Sequence, residues 1–549
     1  MPDETEVCLA GLLSVGIKGK REEEAIMKNC RPGILFRDGC VLQRGKPIVI
    51  WGEGENGKEV TVTLAGRMAR CVVTNGRWEC TLPPMDAARR MELVISCGKE
   101  MEVLRNVSIG EVWIAGGQSN MEFFLRYDAQ WEDMLALPHN PDIHMFNVAR
   151  LAYPEQAKDV SDSGYWFEEG DAAWPFFSAP GYSFARNIQP HLGVPVGIIG
   201  CNWGGTSAST WMDESYMEPE PLNAYLKEYE AAIEGKSEEE LIRQEIFAYE
   251  AEDSERRRNE WAEVMYGMSL KEQEEYMRRG KEHPEPENPM GPYNVGRPGR
   301  LYHQMLEKII PFSARGVLWY QGETDESHPA IYDQLFTAMI RCFRDSFRQE
   351  LPFLFVQLAP YGRWLESSGL AYPELRRRQE MVSRTVPDVH MVSIMDLGMY
   401  EDIHPKRKME VGERLALMAR GKVYGEPILC ESPSLAGARR EEGGILLSFS
   451  ETGDGLWEAE VEPEEEEEAS RPSELTGPAE QKDGFVVSQN GQACRIEEVA
   501  IAGKDRIFLR VPGLTEEPCR VSFAEVPYVR VRFYNSADLP LRPFACTVG

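Results

Sequence analysis

The stretch Glu111 to Phe124, EVWIAGGQSNMEFF, is the one on which the reading of the fold turns. Glu111 to Ala115 is a short, largely apolar run with two β-branched residues and a tryptophan, the pattern of a buried parallel strand. Gly116 and Gly117 break it, and Met121 to Leu125 returns to residues compatible with helix. Ser119 is thereby placed at a strand-to-helix turn. A nucleophilic serine gains from that position, because its own N–H is unpaired and the helix dipole favours a developing oxyanion. The G-x-S-x-G elbow is absent, since Met121 holds the place of its second glycine. On these residues alone an ordinary loop or helix N-cap competes with a nucleophile.

Outward from this stretch, residues 107 to about 424 alternate between strand and helix. VPVGIIGCNWGG, ARGVLWYQGE, LPFLFVQLAP and VHMVSIMDLG are apolar runs that end in Gly, Pro or polar loops, with helical stretches at Ala330 to Arg348 and Pro373 to Val386. The pattern predicts a parallel sheet covered on both faces, with ligands beyond the carboxyl ends of its strands. Residues 213–300 interrupt it with charged helices bearing i,i+4 pairs, which predict solvated helices at the rim of the cleft; a coiled-coil arm is the alternative. Before this region, residues 34–106 read as short strands with Asn75-Gly76 as a turn, a β-sandwich-like module. After it, residues 426–549 return to strands and form a second β-domain, with the acidic run EPEEEEE predicted as a disordered loop. Residues 1–33 read as a leader with a short helix around Arg21 to Lys28.

Length and charge bound the function. A chain of 549 residues exceeds one core, and a net charge of −30 argues against nucleic acid or an anionic membrane as partner. It also gives an anionic sugar no long-range attraction, so such a substrate needs local donors. Twelve cysteines, spread singly, read mainly as buried thiols of a reducing compartment. With no signal-peptide pattern and no run of about 18 apolar residues, a cytoplasmic location is expected. A homo-oligomer is compatible with all of this.

Four blocks, GGQSNM at 116–121, NWGGT at 202–206, WYQGET at 319–324 and DIHPK at 402–406, resemble in content and order the signatures of the sialate O-acetylesterase family of SGNH hydrolases. The stretch LFRDGCVLQRGKPIVIWGEGENGKEVTVTLAG is similar to that family's N-terminal domain, and the resemblance covers roughly 35–549. It implies a flavodoxin-like SGNH hydrolase domain at 107–425, flanked by the two β-domains. It implies Ser119 as nucleophile and His404 as base, with oxyanion donors from the N–H groups of Ser119 and Gly205 and the side-chain amide of Gln321. Gly205 is taken over Gly204, and Gln321 stands where the wider SGNH pattern has Asn. The group that orients His404 is Glu401 or Asp402. The general SGNH spacing favours the first; the matching block and a shorter side chain favour Asp402, which is taken as the orienting carboxylate.

Gln118, Asn120, Trp203, Glu323 and His303 are candidate substrate contacts, with Glu323 equally readable as a loop brace. Trp211, Trp319 and Tyr320 read as sugar faces or as core. His303 stands where relatives often carry Asn. No Cys/His or His/carboxylate spacing calls for a metal, and no nucleotide-binding motif calls for a cofactor. The expectation is a serine acetylesterase acting on O-acetylated carbohydrate, sialic acid first. Acetylated xylo- or manno-oligosaccharides are the rival substrates, and a non-catalytic carbohydrate-binding protein is the rival class.

Overall fold

The computed structural model describes residues 30–153, 156, 164–252, 260–280, 288–460 and 471–549. The expected leader helix and the EPEEEEE run lie outside these residues. The N-terminal strands are β1 (Cys30–Pro32), β2 (Val41–Gln43), β3 (Ile48–Gly54), β4 (Glu59–Leu64), β5 (Arg67–Val72), β6 (Arg77–Leu82) and β7 (Ala88–Cys97). They are followed by β8 (Glu100–Gly117), an 18-residue strand. Strands β1, β3 and β6 form a small antiparallel sheet, while β7 and β2 pair with the first part of β8. Position 107, the junction expected from the change of pattern, falls inside β8, which continues into the parallel sheet without a break.

That sheet adds β9 (Ile143–Asn147), β10 (Trp166–Phe167), β11 (Val196–Asn202), β12 (Gly316–Tyr320) and β13 (Phe353–Val356). A two-residue ribbon, β14 (Arg363–Trp364) with β15 (Ser367–Ser368), precedes its last strand, β16 (Val389–Val392). Its order is β10-β9-β11-β8-β12-β13-β16, parallel throughout except for the edge strand β10. Helices cover both faces because the strands are apolar on both. Trp113 meets Phe184 of the helix Ala179–Leu192 edge-on at 5.0 Å on one side. Trp319 points to the other side, against Phe336 and Phe343 of the helix Tyr332–Phe347. The helix expected at 373–386 is observed as Tyr372–Thr385.

Of the C-terminal strands, Trp457–Glu458 pairs with Phe533–Tyr534 in a separate short ribbon, and the others make two four-stranded antiparallel sheets. Between them lies an apolar core separate from the one shared by the N-terminal strands and the α/β layers; Met395 reaches into it from the loop after β16. One expectation needs correction. Cys71 and Cys80 form a disulfide across neighbouring strands, so not every cysteine is a thiol, although most of the other described cysteines are buried thiols as expected. No helix among the described residues is long and apolar enough to cross a membrane.

Candidate active site

Strands β8, β11 and β12 end side by side at Gly117, Asn202 and Tyr320, so three of the four sequence blocks begin at one edge of the sheet. Because β11 and β12 lie on opposite sides of β8, the chain leaves in two directions there and opens a crevice. Gly117 has φ +135°, and any side chain on it collides with the Tyr320 carbonyl, so the close pairing of β8 with β12 demands glycine. The N–H of Gln118 donates to Tyr320 O at 3.1 Å and that of Trp203 to Gly117 O at 3.1 Å, pinning both loops.

The helix after Ser119 is shorter than expected. It is the single turn Ser119–Glu122, ended by Phe123 at ψ 116°. One turn aligns few peptide dipoles, so the useful electrostatics at Ser119 reside in free N–H groups. Among the described residues neither the Ser119 N–H nor the Gly205 N–H has a protein acceptor, whereas the Gly204 N–H donates to Glu122 at 2.8 Å. Gly205, at φ +70°, is exposed on the turn beside Ser119's block.

His404 arrives from the loop after β16, and its Nε2 lies 3.0 Å from Ser119 Oγ. Asp402 Oδ1 accepts the His404 backbone N–H at 2.8 Å and stands 3.6 Å from Nδ1. That second distance is an electrostatic contact, too long for a hydrogen bond. Nδ1 is buried with no hydrogen-bond partner of its own among the described residues. Asp402 Oδ2 takes Lys406 Nζ at 2.8 Å. Glu401 turns away to an exposed ion pair with Arg363 at 2.6 Å. Burial lowers the His404 pKa below 6.5 despite Asp402. Burial pushes Asp402 up, but His404 and Lys406 together outweigh it and hold the carboxyl below the ordinary value. A neutral imidazole at hydrogen-bond distance from a serine hydroxyl can take its proton, and an adjacent carboxylate stabilises the imidazolium that forms.

The imidazole is clamped by two rings that the sequence reading missed. Tyr266 and Trp364 meet it edge-on, with centroids at 5.2 and 5.4 Å. Tyr266 lies in a π-helical turn, Glu263–Gly267, inside the insertion. Lys406 Nζ donates to the Tyr266 carbonyl at 2.7 Å, and Trp364 Nε1 donates to Gln273 of the insertion at 2.6 Å. The insertion, expected as rim helices or a coiled-coil arm, therefore also flanks the histidine. Its apolar knot VMYG amid charged residues was the signal available.

The remaining candidates divide. Gln118, Trp203 and Glu323 line the cavity together with Ser119, Gly205 and His404. Asn120 does not line it: its Nδ2 donates to Glu323 at 2.5 Å and to the Ile403 carbonyl at 3.1 Å, and its Oδ1 accepts from Lys408 at 2.5 Å. It ties three blocks together. Lys408, fully buried over the rings of Phe123 and Tyr320, has its pKa pushed down to about 7 by burial.

Gln321 does not face the cavity in this structure. Its amide donates to the Thr206 carbonyl at 3.1 Å and to Asp325 at 2.6 Å. The reason is Asp325, a buried carboxylate that also takes Ser207, Ala208 and Tyr225, and that needs all these donors to remain inside. His303 also stands outside the cavity lining, paired with Glu214 at 2.8 Å and Glu307 at 3.4 Å. Asp213, Glu214 and His303 do come within 4.8 Å of one another, a grouping invisible in their spacing, but Arg297 already engages Glu214. Trp211, Trp319 and Tyr320 are core.

The cavity measures about 910 Å³. Besides the residues above, its walls include Glu122 and Arg150, which form a 2.6 Å ion pair, and Trp261 and Tyr276 of the insertion.

The model of carbohydrate esterases described as sialic acid-specific acetylesterases matches residues 109–265 and 289–420, just over half of the chain. The sialate O-acetylesterase of Rattus norvegicus is 26% identical over 438 residues, covering 72% of this chain and 74% of the relative. That of Homo sapiens is 24% identical over 440 residues, covering 72% of each. Among solved structures, a carbohydrate acetylesterase from Xanthomonas citri superposes with a TM-score of 0.69 at 25% identity, over 94% of this chain and 99% of that one.

Proposed function

The chain belongs to the sialic acid-specific acetylesterase family of carbohydrate esterases, and from that premise we propose that it removes O-acetyl groups from a sugar through Ser119, His404 and Asp402. Membership makes it a carboxylic ester hydrolase. The single observation that carries the mechanism is the 3.0 Å approach of His404 Nε2 to Ser119 Oγ beside the cavity.

In this reading Ser119 Oγ attacks the acetyl carbonyl as its proton passes to His404 Nε2, giving a tetrahedral oxyanion. The N–H groups of Ser119 and Gly205 receive the oxyanion. Their lack of protein acceptors supports that role. Gln321 joins them only if its amide leaves Asp325. His404 then returns the proton to the sugar oxygen as the ester bond breaks. Water attacks the acetyl-enzyme in the same geometry and releases acetate. Asp402 offsets the imidazolium charge at 3.6 Å, and its short bond to the His404 N–H keeps the loop in place.

The relatives are sialate O-acetylesterases, which supports acetylated sialic acid as substrate, and the Xanthomonas citri protein is a carbohydrate acetylesterase, which supports acetylated carbohydrate more broadly. Ser119→Ala is the direct test. Acetate release from an acetylated sugar should fall about 10⁴- to 10⁶-fold with the fold intact. A variant that keeps a tenth of the activity removes Ser119 as nucleophile.

A further inference from the structure

Lys408 is the first residue of the helix Lys408–Met418, and its side chain runs into the protein rather than out of it. The N–H groups of Lys408 and Met409 donate to Asp128 Oδ2 at 2.7 and 3.0 Å, which fixes the start of the helix. The ammonium lies 5.1 and 5.0 Å from the ring centroids of Phe123 and Tyr320 and donates to Asn120 Oδ1 at 2.5 Å. A lysine with no exposed surface is costly to keep charged, and the mechanism above makes no use of it.

The amide that Lys408 meets joins the two halves of the reaction. Asn120 follows Ser119 in the chain, and its Nδ2 donates at 3.1 Å to the carbonyl of Ile403, the residue before His404. The same Nδ2 donates to Glu323 Oε1 at 2.5 Å. Lys408, Asn120 and Glu323 are therefore an ion pair bridged by an amide. An ammonium only donates and a carboxylate only accepts, so the two charges allow one orientation of that amide. Turned over, Oδ1 would face the Ile403 carbonyl and Glu323 together, and the bond joining the Ser119 block to the His404 loop would be lost. Glu323 Oε2 is buried with no hydrogen-bond partner among the described residues, and Lys408, across the amide, offsets its charge.

We propose that Lys408 is a positioning residue for the ester hydrolysis: its ammonium locks the Asn120 amide, and the lock holds Ser119 in register with His404. The inference rests on the reading of those two as nucleophile and base, and adds a residue that acts on them through Asn120. The lock depends on charge. A neutral amine has a lone pair as well as donors and takes either end of an amide, so loss of the proton frees the orientation. Burial pushes the Lys408 pKa down to about 7. Glu323 on the loop after β12, Asp402 on the catalytic loop and Asp128 at the start of the helix oppose that fall, whereas Lys406 adds to it. The phenols of Tyr266 and Tyr320 are pushed well up by burial and titrate above this range.

The test follows kcat and KM for acetate release from a mono-O-acetylated methyl xyloside by the full chain, from about pH 5 to about pH 9. In the parent, kcat should fall about tenfold through a midpoint near pH 7, with KM within about threefold, because misplacing the base slows chemistry more than binding. Lys408→Met keeps the length of the stem; its kcat should stay at the lower level wherever His404 is neutral and show no alkaline limb. Glu323→Gln removes the anion that favours the ammonium and should move the limb to lower pH by at least about half a unit.

A parent without an alkaline limb in kcat overturns the proposal. So does a Lys408→Met that retains the limb, or a Glu323→Gln whose limb stays or moves upward. If Lys408→Met does not fold, the parent and Glu323→Gln decide. Ser119→Ala, run alongside, separates the two readings: acetate release retained there sinks the nucleophile, whereas its loss together with any of the outcomes above sinks the role of Lys408 alone.

Discussion

Asp402 and Glu401 are neighbours in the chain and opposites in space. Asp402 is buried between the His404 ring and Lys406, while the Glu401 side chain is 51% exposed on Arg363. Asp402→Asn should therefore cut kcat by about 10²- to 10⁴-fold, and Glu401→Gln by less than about tenfold, in steady-state acetate release. The reverse ranking transfers the orienting role to Glu401. The His404 pKa gives a second expectation. Burial favours the neutral ring, which is the form that accepts the serine proton, so the base stays competent at more acidic pH than an ordinary histidine. The acid limb of kcat/KM should have its midpoint below pH 6.5, and a midpoint above that value counts against His404 as the base.

At the scale of elements, the insertion and the catalytic loop behave as one piece. Tyr266 stands edge-on to His404, its backbone carbonyl holds Lys406, and Gln273 anchors Trp364, which also stands edge-on to the imidazole. Among the described residues the Tyr266 hydroxyl reaches only the Ser119 carbonyl, at 3.4 Å, so the ring rather than the hydroxyl positions the imidazole. Tyr266→Phe should stay within about threefold of the parent kcat, whereas Tyr266→Ala should lose about 10- to 100-fold, because a small displacement of the base is costly. Equal losses in the two variants point to the hydroxyl instead. The insertion interrupts the α/β alternation in sequence, yet the site is incomplete without it.

For the whole molecule, Glu111 joins parts distant in the chain. It is fully buried at the start of the parallel segment of β8, with Arg44 at 2.5 Å, Arg315 at 2.6 Å and the Tyr424 hydroxyl at 3.1 Å. Burial raises its pKa, but the two arginines more than reverse this and leave it below the ordinary glutamate value. The carboxylate is thus favoured by folding: its contribution is complete above the unfolded glutamate pKa and is lost as pH falls through the lower folded value. Glu111→Ala leaves two arginines partly buried without their partner, and should lower unfolding stability by about 3–5 kcal/mol in denaturant titration at pH 7. A change below about 1 kcal/mol refutes that role.

What the sequence determined by itself was periodic or contiguous. Apolar runs punctuated by glycine marked β8, β11 and β12, whose ends carry three of the four blocks; the identities of Ser119 and His404, which the structure brings to 3.0 Å, came instead from the resemblance of the first and fourth blocks to the family. Local pattern suffices for the strands because strand and helix periods are properties of neighbours in the chain. Pairings across the chain were decided by tertiary structure. Gln321 occupies the expected place in its block, yet the buried Asp325 claims its amide; His303 is drawn to Glu214; Tyr266 leaves a charged insertion to flank the imidazole. A polar side chain goes to the partner whose burial would otherwise be most costly, and that partner is known only once distant segments have been brought together.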